Sequence, residues 1–252
     1  MSSEAVPTAE QFDGWYSNMR GDATRDDVHQ RHLGLPPRLL STSLLTWDGV
    51  ADVVDALRLG PGDRLLDLAC GRGGYGLEIA ARTGARLIGV DFASTAIDQA
   101  RTLAEQFDSV EAEFRVGDLA DTGLPAGSVH AVVCVDAIQF KPVAESYEEM
   151  RRVLRPGGRV AITTWEALPN ADDRVPARIQ AVDTAAGLAA AGFADVTVRE
   201  RPHWREAERA MWEEASALDP GDDPGLRSLH DEGVRVLLGF DLMRRVLATA
   251  TA

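Results

Sequence analysis

The sequence predicts an α/β protein built on a doubly wound, mostly parallel sheet of seven strands. Three observations carry that prediction. From Arg64 onward, short apolar runs alternate with helical stretches. The first run leads into LLDLACGRGGYGLEIA, Leu65 to Ala80, where Gly71, Gly73 and Gly76 stand at a G-x-G-x-x-G spacing. Past Trp165 the regular alternation stops, and two further strand-like runs, 195–200 and 243–249, bring the total to seven.

Residues 1 to 10 are polar and read as loose. The run QFDGWYSNM, Gln11 to Met19, reads as a short helix or a flap, and the polar GDATRDDVHQRH leads to a break at Pro36-Pro37. Thr42 to Leu59 reads as a helix, because Leu44, Leu45, Val50, Val53, Val54 and Leu57 make one broad apolar face. Pro61-Gly62-Asp63 is a turn. Strands follow at 64–69, 86–91, 111–116, 129–136 and 159–165, with helices near 75–82, 94–106 and 143–153 between them. Beyond Trp165 come helices near 179–191 and 204–218 and a DPGDDPG loop. Another helix precedes MRRVLAT, which reads as a last strand or the end of that helix, with the strand favoured.

Composition narrows the function. The chain has 252 residues, is 45% hydrophobic and carries a net charge of −14. No basic stripe is available to displace counterions from a phosphate backbone, so a nucleic-acid binder is excluded. A single lysine, Lys141, speaks against lysine-nucleophile chemistry. Two cysteines, Cys70 and Cys134, fit buried thiols in a reducing compartment and can build neither a disulfide framework nor a cysteine zinc site. No apolar run approaches a membrane span. A cytoplasmic protein without membrane contact is expected, and monomer and homodimer are both compatible with the sequence. No histidine pair has metal-ligand spacing with an acidic partner, so no metal is expected.

A glycine turn of this kind opens sites for NAD(P), FAD or S-adenosylmethionine (SAM) alike. Asp67 separates them. It lies four positions ahead of Gly71, where it would face the cleft, and a carboxylate there disfavours a pyrophosphate but favours an ammonium and a sulfonium. Asp91 ends the next strand twenty residues after Gly71, the separation expected of an acid gripping ribose hydroxyls. The helix behind it has its own capping candidate in Ser94.

Five segments in order then resemble the class I SAM-dependent methyltransferases, in particular the small-molecule branch similar to quinone-biosynthesis and actinobacterial natural-product enzymes. LLDLACGRGG resembles the first motif, GVDFASTAIDQAR the acidic ribose segment, and FRVGDLADTGLP the adenine segment. VHAVVCVDAIQF resembles the fourth strand with its exit loop, and RRVLRPGGRVAITTW the turn into the fifth strand. The resemblance runs from about Val50 to Trp165 and implies a Rossmann-like methyltransferase fold. It also implies SAM as cofactor and a small organic acceptor such as a secondary metabolite. Residues 1–41 would form an N-terminal helical lid, and 42–252 the methyltransferase domain, with substrate-side insertions in 166–240.

Carried onto this chain, the resemblance assigns Asp67, Ala69, Gly71, Gly73, Asp91, Phe92, Gly117, Asp118, Leu119 and Asp136 to the cofactor. Asp118 would meet the adenine amino group, and Tyr16 would close over the site from the lid. Trp15, Gln139, Phe140 and Trp165 would meet the acceptor. Related enzymes often carry a histidine near Gln139. Glutamine takes no proton at neutral pH and can only orient the acceptor, which leaves His29 or His32 of the lid as alternative bases. A SAM-binding enzyme of this fold that performs other chemistry, such as a cyclisation, stays open beside the methyltransferase reading.

Overall fold

The computed structural model describes residues 8–18, 23–40 and 42–252. Expectations for residues 1–7, Met19 and the start of the polar stretch, Gly21-Asp22, lie outside the described residues. Two helices open the described chain, α1 (Ala9–Asn18) and α2 (Ala23–Leu33), followed by α3 (Trp47–Leu57). Strand–helix alternation then runs through β1 (Arg64–Leu68), α4 (Gly74–Thr83), β2 (Arg86–Asp91), α5 (Ser94–Ala104), β3 (Ala112–Val116), β4 (Val129–Val135), α6 (Val143–Val153) and β5 (Leu154–Ala167). The last part contains α7 (Ala177–Gln180), α8 (Thr184–Ala190), β6 (Ala194–Glu200), α9 (Pro202–Ala217), α10 (Pro224–Gly239) and β7 (Met243–Thr251).

The seven strands form one sheet in the order β3-β2-β1-β4-β5-β7-β6. β1 to β5 pair in parallel, and β7 inserts antiparallel between β5 and β6. Strand order reverses between β1 and β4, so the crevice beyond their carboxyl ends is where a ligand is expected.

Period-two alternation sends each strand's side chains to two apolar layers. Leu65, Ala131, Val133 and Leu247 pack on one face with Val53 of α3, Leu77 of α4 and Trp204 and Met211 of α9. Leu66, Leu68, Val132 and Cys134 pack on the other with Tyr147 and Met150 of α6 and Leu188 of α8. That two-sided burial is why the central strands read as nearly continuous apolar runs.

Three sequence expectations shift and one open alternative resolves. The polar stretch contains α2, which reads weakly because its surface is mostly charged. The helix expected from Thr42 starts only at Trp47, since Thr46 adopts an extended conformation and its hydroxyl accepts from Gly49 N. The segment near 179–191 splits into α7 and α8, with Asp183 accepting from Ala186 N to start the second. The final MRRVLAT is a strand, as favoured, and its antiparallel register with β5 runs from Ala167↔Met243 through Arg159↔Thr251.

Candidate active site

A cavity opens over the carboxyl ends of β1 and β4. Both strands end there in left-handed non-glycine residues, Ala69 at φ +60 and Asp136 at φ +58. Such conformations cost about 1–2 kcal/mol each and turn the chain sharply away from the sheet. Both residues lie on the cavity wall. After Ala69 the chain passes through Gly71 (φ +51) and Gly73 (φ +79) into α4. A side chain at Gly71 would stand 2.8 Å from the Tyr16 hydroxyl, and one at Gly73 would meet Ala100 and Phe114 at 3.0 Å. Gly71 therefore keeps the cavity wall bare, whereas Gly73 lies behind the wall, where it lets the turn pack on α5 and β3.

Asp91 ties this turn to the next one. Its Oδ2 accepts from Gly71 N at 2.8 Å and its Oδ1 from Ala93 N at 2.9 Å. Burial pushes its pKa up to about 6, partly opposed by those amide hydrogen bonds. The carboxylate lines the cavity, with lone pairs left for a ligand's hydroxyls. Ser94 does not cap α5 as expected. Its hydroxyl donates to Asp13, while Ala93 takes the N-cap position without a side-chain bond.

Asp67 is placed differently from expectation. It is 2% exposed and absent from the cavity wall. Its carboxylate sits behind the turn and accepts from the backbone N–H of Gly76, and a Cβ at Gly76 would lie within 2.4 Å of its Oδ2. Burial, and then the charge of Asp91, raise its pKa to about 7. The third glycine of the motif thus exists to admit a carboxyl group beneath the turn, and Asp67 shapes the turn from behind without facing the cavity.

Of the remaining residues assigned to the cofactor, Phe92, Gly117, Asp118, Leu119 and Tyr16 all line the cavity. Asp118 Oδ2 pairs with Lys141 Nζ at 2.6 Å, and its Oδ1 accepts from Ala120 N. Asp136 is held on three sides. Leu44 N and Thr163 Oγ1 donate to it, each at 2.7 Å, and Arg245 approaches to 2.5 Å. Arg245 is fully buried and also meets the fully buried Glu208 at 2.6 Å, so a desolvated acid–arginine–acid triad underlies this wall. Burial raises Glu208 to about 8 despite that arginine.

The N-terminal helices close the cavity. Phe12 of α1 packs on Phe92 and Phe140 with ring centroids 5.0 and 5.5 Å apart, and Trp15 packs edge-on to Tyr16 at 5.1 Å. Three polar latches hold α1 in place. Asp13 accepts from Thr95 N at 2.7 Å at the start of α5, Gln99 donates to Tyr16 O at 3.0 Å, and Trp15 Nε1 donates to Ser228 on α10 at 3.1 Å. Arg72 of the glycine turn reaches Asp26 of α2 at 2.9 Å.

The residues expected to meet an acceptor, Trp15, Gln139, Phe140 and Trp165, all lie on the wall. Gln139 Nε2 donates to Asp136 O at 2.7 Å, so its amide is already oriented by the backbone. The two candidate bases are not brought there. His29 is buried, its Nδ1 bonded to Arg25 O at 2.9 Å, and burial together with the Arg25 guanidinium drives its pKa down to about 3. His32 pairs with Glu214 at 2.6 Å. Neither belongs to the wall, and a helix pairing them with α9 and Arg25 explains why. Glu166, next in sequence to the wall residue Trp165, accepts from Thr184 and pairs with Arg244, and it is not on the wall. No described group of three or more His, Cys, Asp or Glu side chains has the arrangement of a metal site.

Sequence reasoning missed several wall residues: Arg25 of α2, Thr42 to Leu44, Arg178 and Ile179 of α7, Trp212, and Glu232 with Val236 of α10. The i, i+4, i+8 series Ser228, Glu232, Val236 is a legible helix face. Which face turns toward α1 is not legible.

A cationic, adenine-bearing cofactor fits this donor set. Asp91 can take ribose hydroxyls, Val90, Phe92 and Leu119 offer apolar surface for a planar base, and the rings of α1 lie by the glycine turn, where a sulfonium gains cation–π contact.

Strand order and the antiparallel β7 are those of the Rossmann-like methyltransferase fold. Residues 65–158 match the family model described as "Methyltransferase domain". Over 107 residues the chain is 36% identical to the sterol 24-C-methyltransferase ERG6B of Gibberella zeae, covering 42% of this chain and 28% of that enzyme. The chain spans about a third of the length of the curated relatives it matches. Among solved structures, phosphoethanolamine N-methyltransferase 2 of Haemonchus contortus, in complex with S-adenosyl-L-methionine, superposes with a TM-score of 0.73 at 19% identity. That match covers 98% of this chain and 60% of that one. The [4+2]-cyclase SpnF superposes with a TM-score of 0.72 at 18% identity, covering 99% and 98%. These two likenesses establish the fold alone.

Proposed function

We propose that the protein binds SAM in the cavity over β1 and β4 and transfers its methyl group to a small organic acceptor enclosed beneath α1 and α2. The observation that carries this reading is Asp91, a buried carboxylate that fixes the Gly71 turn and still faces the cavity. The match to the methyltransferase-domain model over 65–158 and the sterol methyltransferase relative point the same way.

In-line displacement from a sulfonium asks little of the protein, because the leaving group is already activated. Holding the acceptor about 3–3.5 Å from the methyl carbon supplies on the order of 7–11 kcal/mol of the barrier. Water exclusion assists, since charge is neutralised as the new bond forms. In this reading the described parts of the 1–41 segment, residues 8–18 and 23–40, act as the lid on a catalytic domain, Tyr16 and Trp15 complete the cofactor and acceptor walls, and Gln139 orients the acceptor.

Incubation with methyl-labelled SAM and a small-molecule cell extract tests the reading. Label should pass into an organic-soluble product with the wild type and not with Asp91→Ala. Removal of the ribose-facing carboxylate forfeits roughly 1.5–3 kcal/mol of charge-assisted hydrogen bonding, about 10- to 150-fold in SAM affinity. A second reading, a non-methylating reaction such as cyclisation, draws support from the committed Gln139 amide and from the two lid histidines lying off the wall. Tight SAM binding with no label transferred would favour it.

A further inference from the structure

The cavity wall carries four carboxylates on described residues, and three are already engaged. Asp91 holds two backbone amides, Asp118 pairs with Lys141, and Asp136 pairs with Arg245. The fourth, Glu232 of α10, is half-buried, and among the described residues its carboxylate has no hydrogen bond or ion pair. A half-buried carboxylate with no protein partner leaves its acceptor oxygens for a cationic group of a ligand.

Glu232 also sits where an acceptor would. It lies one turn beyond Ser228, which anchors Trp15 of the lid, and one turn before Val236 on the same face of α10. Trp165, Trp212, Ile179 and Met243 also line the cavity, whose wall carries the guanidiniums of Arg25 and Arg178 as well. The two guanidiniums on the wall rest against rings, Arg25 over Trp15 at 5.1 Å and Arg178 over Phe140 at 5.6 Å. Neither pairs with Glu232.

From this juxtaposition we infer that Glu232 is the specificity-determining anchor of the acceptor chamber, and that the acceptor carries a protonated amine on an apolar, ring-sized body. The inference rests on the methyl-transfer reading and narrows its substrate class. An ammonium supplies the missing counter-charge and up to three donors to the two carboxylate oxygens. Its apolar body takes the place of water against the tryptophans.

Calorimetry on protein saturated with S-adenosylhomocysteine tests it with two probes of the same body, tryptamine and its neutral counterpart indole-3-ethanol. The wild type should bind tryptamine at least about tenfold more tightly. Glu232→Gln keeps the side chain's size, so it should bring the two probes within about twofold while leaving S-adenosylhomocysteine affinity unchanged, which also certifies the fold. Equal affinities in the wild type, no binding of tryptamine, or a preference that survives Glu232→Gln would each overturn the inference and leave methyl transfer standing. Failure of S-adenosylhomocysteine itself to bind the wild type would instead remove the underlying reading, and this inference with it.

Discussion

Asp67→Asn isolates the buried carboxylate beneath the glycine turn. Burial and the Asp91 charge raise the Asp67 pKa from an ordinary 3.8 to about 7, so the folded chain holds a proton there that the unfolded chain has released. The stability this proton confers is fully present below about pH 4 and is lost as pH rises through 7. At about 1.4 kcal/mol per pKa unit, ionising Asp67 in the fold costs on the order of 4 kcal/mol. Asparagine never bears that cost. Its carbonyl can still accept from Gly76 N, but its new NH2 group is buried at a cost of about 1–3 kcal/mol. The variant should therefore be more stable than the wild type at pH 8 by about 1–3 kcal/mol, and that advantage should shrink by about 3 kcal/mol on going to pH 4.5. For a chain of this size the change between the two pH values corresponds to roughly 6–12 °C in Tm. Urea denaturation of both proteins at the two pH values reads it directly. A difference between the proteins that does not vary with pH would refute the reasoning, because it would mean that Asp67 ionises in the fold as easily as in water.

Other consequences follow from the same geometry. His29→Gln removes a buried neutral imidazole whose pKa is held down to about 3. Stability that the wild type loses as pH falls below about 6.5 should be retained by the variant, and methyl transfer at pH 8 should stay within about twofold of wild type. Asp13→Ala removes the cap that α1 places on α5, costing about 0.5–2 kcal/mol. Amide exchange should rise in 9–18 and bound cofactor should leave faster in stopped flow, whereas unchanged exchange would contradict the latch. Arg245→Met strands Glu208 and Asp136 without their buried counter-charge. A loss of about 3–5 kcal/mol is expected by denaturation, partly relieved by adding Glu208→Gln, and a loss under about 1 kcal/mol would contradict the triad.

The frame of the fold was legible because it is written locally. Burial on both faces makes β1, β2 and β4 apolar runs, and the left-handed turn demands the glycines at 71 and 73. Asp91 was legible for the same reason, as its spacing from Gly71 follows from one strand–helix–strand passage. What could not be read depends on distant partners. Asp67 lies near the end of its strand, yet whether it faces the crevice or the underside of the turn is decided by Gly76 approaching it. Ser94 looked like a cap until Asp13, eighty-one residues away, claimed its hydroxyl. The lid histidines looked available because α2 has little apolar patterning, and its docking against α9 fixes them instead. Glu232 gave no motif at all. Its place on the wall comes from how α10 docks, with Ser228 bonded to Trp15 more than two hundred residues earlier.

Paired calorimetric titrations of the wild type at pH 7.5, one with SAM and one with NADH, put the assignment of this cavity to its hardest trial. The account predicts a single saturable SAM site that Asp91→Ala weakens at least about tenfold, and no heat from the dinucleotide. Saturable uptake of NADH by a chain indifferent to SAM would contradict it.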